Sequence, residues 1–132
     1  MCKKLIIAMV LLIACTPAYA ANLYSLAENV VNTGTAPVVL VQGDDATFTC
    51  CVGVSDNTTT MVIVEIDGSI MTSVWSEMVT ITANSGNITN NNGNCATVTM
   101  QPVTWLRAHI QTIQGGTTPK VTVRCKGMGY YK

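Results

Sequence analysis

The sequence predicts an all-β domain: about seven short antiparallel strands in a two-sheet sandwich or jelly-roll-like arrangement, behind an N-terminal hydrophobic leader. Three observations point there. Apolar and polar residues alternate with a two-residue rhythm through most of the chain. Gly, Asn and Asp clusters cut these runs at roughly the 8–12-residue spacing of sandwiches and barrels. No helical pattern alternates with the runs, which argues against a parallel α/β sheet. A length of 132 residues is room for one domain.

Met1 to Ala20 read as a signal peptide: Lys3 and Lys4, the apolar run Leu5–Ala14, then Ala18-Tyr19-Ala20 as a small-residue cleavage pattern. The run is too short for a permanent bilayer span. A second reading takes residues 1–14 as a lipoprotein signal. Leu12-Ile13-Ala14-Cys15 resembles a bacterial lipobox, which would make Cys15 a lipid anchor. Residues 21–36 read as an N-terminal arm, extended or with one helical turn, and 37–132 as the β-sandwich domain.

The strands follow in order. Pro37–Val41 is a first strand, ended by Gly43-Asp44-Asp45. Over Ala46–Val54, Phe48, Cys50, Val52 and Val54 share one face, and Thr47, Thr49, Cys51 and Gly53 the other. Thr60–Ile66 is nearly continuous and β-branched, as for a strand buried on both sides. Asp67-Gly68 signals a turn. In Ser73–Thr82, Trp75, Val79 and Ile81 share a face with Glu77. Ala83–Asn94 is a polar, Asn-rich surface loop, and Cys95–Met100 a short strand. In Val103–Ile113, Leu106, Ala108 and Ile110 alternate with Trp105, Arg107 and His109. After Gly115-Gly116, Lys120–Lys126 is the last strand, with Val121, Val123 and Cys125 inward.

Of six cysteines, Cys2 and Cys15 lie in the leader. Cys50, Cys51, Cys95 and Cys125 remain, an even set in a chain that reads as exported, which favours two disulfides over a metal site. Three pairings satisfy that count. Adjacent Cys50 and Cys51 point to opposite faces and suit separate partners. The expected pairs are Cys50 with Cys125 and Cys51 with Cys95.

Charge and chemistry narrow the function. Without Lys3 and Lys4, five basic side chains face seven acidic ones, and no basic stripe exists to neutralise phosphates, which argues against nucleic acid. The single histidine, His109, has no nucleophile and orienting acid near it in sequence, so no catalytic residue is assigned. Glu65 and Asp67 could share a face, but a turn Asp plus a strand Glu explains them. Asp44-Asp45 and the Asn-rich loop lack calcium-loop spacing. Asn57-Thr58-Thr59 and Asn87-Ile88-Thr89 fit the glycosylation pattern by chance in a bacterial or phage setting. No metal or cofactor is expected. Trp75 reads as core, and Trp105 as either core or surface. Trp105, Arg107 and His109 form the candidate partner contact. The expected partners are a protein or a second copy, with a surface glycan as a further candidate and membrane contact only through the leader or a lipidated Cys15.

Asn29 to Gly127 resembles small β-sandwich virion proteins of tailed phages, of the head-decoration or fibre-associated type. The stretches that carry the resemblance are Gly43-Asp44-Asp45-Ala46-Thr47-Phe48, Glu65-Ile66-Asp67-Gly68-Ser69 with Trp75, Trp105-Leu106-Arg107-Ala108, Gly115-Gly116 and Lys120-Val121-Thr122-Val123. The resemblance implies a structural or adhesive role without catalysis, at a virion surface. Paired cysteines and a signal peptide depart from that family, because virions assemble in a reducing cytoplasm. They fit instead an exported periplasmic or lipid-anchored bacterial interaction protein. A small hydrolase is the least favoured reading.

Overall fold

The computed structural model describes residues 21–56, 58–84, 94–99 and 101–129. The leader, Cys15 and most of the Asn-rich loop lie outside the described residues. Nine strands and no helix occur among those described. They are β1 (Asn22–Val30), β2 (Gly34–Thr35), β3 (Val39–Leu40), β4 (Asp45–Val54), β5 (Thr59–Met71), β6 (Val74–Asn84), β7 (Cys95–Val98), β8 (Trp105–Gly115) and β9 (Val121–Gly129). A four-stranded sheet runs β1-β9-β4-β7, and a five-stranded sheet runs β2-β8-β5-β6 with β3 also on β8. Every pairing is antiparallel. The chain changes sheet at each link except β2–β3 and the β5–β6 hairpin.

The core lies between the sheets. Tyr24, Leu26, Phe48, Cys50, Val52, Val121, Val123 and Cys125 come from one sheet, and Val62, Val64, Ile66, Ile81, Leu106, Ala108 and Ile110 from the other. The alternation in β4, β8 and β9 is read correctly from sequence because each strand buries one face and wets the other.

Four local expectations change. The segment read as an arm supplies β1, a nine-residue strand on β9, and β2. Register shifts after Ser25 and Ala27 obscure its period. Thr60–Ile66 is buried on one face only, since Met61, Ile63 and Glu65 are half-exposed. Asp67-Gly68 is not a turn but the middle of β5; the hairpin turns at Thr72-Ser73, between the paired Met71 and Val74. Gly68 is needed for packing instead: a Cβ there would stand 2.5 Å from Met78 Sδ and 2.7 Å from Val103 Cγ1. Finally, Ile66 pairs with Val79 but Asp67 with Glu77, so Met78 is an extra residue. That bulge turns Trp75 and Glu77 to the face opposite Val79, Ile81 and Ala83.

Two polar anchors fix the ends. Buried Asp45 accepts hydrogen bonds from Tyr24 Oη at 2.6 Å and Asn22 Nδ2 at 3.0 Å, tying β1 to β4 across β9. Burial, then the bond to Asp45, pushes the Tyr24 phenol up to about 12. At the other end, Asp56 accepts from Thr58 Oγ1 at 2.6 Å and Thr58 N at 2.9 Å, and from Thr117 N and Thr118 N at 2.8 Å each. One carboxylate thus joins the β4–β5 and β8–β9 connections. Those bonds, led by the Thr58 hydroxyl, hold it well below the usual carboxylate range.

Gly127 sits under the Asp45 anchor: a Cβ there would fall 2.2 Å from Asp45 Oδ2 and 2.7 Å from Tyr24 Cε2. Gly127→Ala is expected to destabilise the domain by about 1–3 kcal/mol through overpacking. The midpoint of denaturant unfolding measures it. An unchanged midpoint would show that the anchor carries no stability.

Candidate functional site

The outward side of the five-stranded sheet gathers the polar and aromatic residues that the strands do not bury. Register sets them in rows. His109 on β8 lies opposite Glu65 on β5, which lies opposite Thr80 on β6. Arg107, Asp67 and Glu77 form the next row. Leu40 on β3, Trp105 and Ser69 form a third.

Asp67 is the organising charge. Its residue is 3% exposed, and its Oδ2 accepts from Arg107 Nε at 2.8 Å. The Arg107 guanidinium carbon lies 4.2 Å from the Trp75 ring centroid, a cation–π stack. Trp75 Nε1 donates to Thr72 O at 2.9 Å, which fixes the ring to the hairpin turn. Trp75 is therefore half-buried on the outer face and not in the core as its sequence position suggests. The Met78 bulge is the reason.

Glu65 accepts from Gln111 Nε2, and Glu77 accepts from Thr80 Oγ1 at 2.6 Å. The Glu65 carboxyl is pushed above its ordinary value, first by its contact with Asp67, then by burial and the charges of Asp67 and Glu77. His109 opposes that shift weakly. Among the described residues, no three His, Cys, Asp or Glu side chains converge as metal ligands.

The hairpin end of this sheet is apolar. Ile70, Met71 and Val74 are 72%, 62% and 59% exposed. They border a cleft of about 490 Å³ whose far wall includes Pro102 and Val103. Ser69 Oγ is held by the Met71 and Val74 carbonyl oxygens, so the hairpin tip is braced from inside. Leu40, 53% exposed, adds apolar surface beside Trp105.

Of the sequence candidates, Trp105, Arg107 and His109 do share one face, but they play different parts. Arg107 is spent on Asp67 and Trp75, His109 faces Glu65, and Trp105 belongs to the apolar row. Sequence reasoning missed the Trp75–Arg107 stack, for which no local signal exists. It also missed the hairpin tip, which Ile70-Met71 and Val74 around the polar pair Thr72-Ser73 do announce.

Cys50 and Cys125 form one disulfide and Cys51 and Cys95 the other, with Cα atoms 4.0 Å apart in each. Both link directly opposed residues, on β4–β9 and β4–β7.

Two predictions concern this face. Arg107→Ala leaves Asp67 buried without its counter-charge and should cost on the order of 3 kcal/mol, read from denaturant unfolding. For Glu65, the folded-state value lies above the unfolded one. Its contribution to stability is therefore present in acid, below the unfolded value, and is lost as pH rises through the folded value. Glu65→Gln should then be more stable than the parent at neutral pH, with the difference vanishing in acid. Parallel pH–stability curves for the two proteins would contradict this.

No protein-family model matches the sequence, and no curated protein sequence matches it. The fold is similar to that in the crystal structure of SPBc2 prophage-derived protein YomS, with a TM-score of 0.57 and 11% identity over 83% of this chain and 94% of that one. At that identity the likeness shows a shared all-β fold.

Proposed function

We propose that this chain is a non-enzymatic structural or adhesive β-sandwich module, of the kind that decorates a phage virion or accompanies its fibres. The apolar hairpin end carries the reading. Ile70, Met71 and Val74 stand exposed around a cleft on a doubly cross-linked sandwich. Large exposed apolar groups gathered on a rigid frame are typical of protein contact sites. The fold likeness to a prophage-derived protein supports a phage setting. The partner is a protein, either a capsid or fibre subunit or a second copy. A surface glycan against Trp105 is the less supported ligand.

A second reading keeps the contact site and changes the compartment: an exported periplasmic or lipid-anchored bacterial interaction protein. The two disulfides favour it, since cystines persist in oxidising compartments. Intact-mass spectrometry of the native protein separates the two readings. A chain cleaved after Ala20, or lipidated on Cys15, places it in the envelope; an uncleaved chain banding with virions places it on the particle.

The contact site itself is tested with Met71→Asp and Val74→Asp. Both side chains are solvent-exposed, so the variants should keep the parent unfolding midpoint. Each should weaken association, with itself or with virions, by about tenfold or more. Sedimentation velocity and virion co-sedimentation provide the readout. Full association by both variants would remove the hairpin end from the function.

A further inference from the structure

The two cystines flank the same strand but meet different surroundings. Cys50 and Cys125 are both 0% exposed, inside the core. Cys51 is half-buried and Cys95 exposed, on the outer side of the four-stranded sheet. There the register sets Cys95, Cys51 and Arg124 in one row across β7, β4 and β9. Arg124 pairs with Glu28 at 3.3 Å, but both side chains are more than half exposed, so the pair is weak and the guanidinium stays available. Cys51, Lys120, Thr122 and Arg124 line one concavity of about 440 Å³. That is room for a small peptide.

We propose that Cys51–Cys95 is a thiol-exchange site, at which a small anionic thiol of the glutathione class becomes attached to Cys51. The attacking thiol first releases its proton to solvent. Its thiolate then attacks Cys51 Sγ from the concavity, in line with the S–S bond, and forms a new S–S bond there. The Cys51–Cys95 bond breaks, and its electron pair leaves on solvent-exposed Cys95 as a thiolate. Cys95 then takes a proton from solvent. One disulfide is exchanged for another, so no outside oxidant is consumed. The cations select the thiol: carboxylates on the incoming molecule meet Lys120 and Arg124, and a cationic thiol is repelled. The buried Cys50–Cys125 bond offers no such approach and stays closed. Opening the outer bond leaves β7 on β4 through its ladder and the 2.9 Å Thr49–Thr97 hydroxyl contact.

The oxidised protein is incubated under native conditions with glutathione, 2-mercaptoethanol or cysteamine, trapped with iodoacetamide and mapped by peptide mass spectrometry. The expected product carries glutathione on Cys51 and the alkyl group on Cys95, with Cys50–Cys125 intact. Corrected for thiolate fraction, glutathione should react about tenfold faster than cysteamine at low salt, with 2-mercaptoethanol between them. Arg124→Gln should shrink that preference. Adducts on Cys50 or Cys125, simultaneous opening of both bonds, an adduct on Cys95, or equal rates for the three thiols would each overturn the proposal. If Arg124→Gln does not fold, the three-thiol comparison on the parent protein decides alone.

Discussion

The architecture rests on one strand that is covalently tied to both of its neighbours. Successive side chains of a strand point to opposite faces, so adjacent Cys50 and Cys51 cannot share a partner. One reaches inward to Cys125 on β9, the other outward to Cys95 on β7. A one-residue slip of β4 against either neighbour would send its apolar set to solvent, and the cystines forbid that slip on both sides. They close sequence separations of 75 and 44 residues. In the chain-entropy model each such closure stabilises by about 4 kcal/mol, which is large for a domain of this size. With β4 held, Phe48, Cys50 and Val52 face the second sheet in a set register, and β9 in turn positions β1.

The second sheet obtains its order differently, from charge placed on its outer face. Asp67 is buried where a strand would ordinarily carry a neutral residue, and it is tolerated because Arg107 lies directly across the ladder. Trp75 then roofs the guanidinium. This stack covers the middle of the face, while the apolar groups collect at its hairpin end. The two properties are linked through the Met78 bulge, which turns Trp75 outward.

What could be read in the sequence follows from this division. Strands with an unbroken two-residue period, β4, β8 and β9, are legible because burial of one face is the dominant force on them. The strands that depart from expectation each contain an irregularity that no local pattern encodes. β1 has two register shifts, and its Tyr24 is placed by Asp45, 21 residues away. β5 carries Asp67-Gly68, a turn signature in isolation, which the ladder to Arg107 and the close approach of Met78 hold straight. The candidate contact residues were legible as a face, from alternation in Trp105, Arg107 and His109. Their separate roles were not, because these depend on partners at Asp67 and Trp75 that only the sheet brings near.

The Asp56 clamp gives the molecule unlike poles. β5 runs from the clamp to the hairpin tip, so one pole is hydroxyl-rich and locked while the other is greasy. Copies that met through the greasy pole would cover it in the encounter and leave the clamped pole facing outward. A contact made through one pole alone is self-complementary and closes as a pair, whereas a ring or a filament needs a second, different surface.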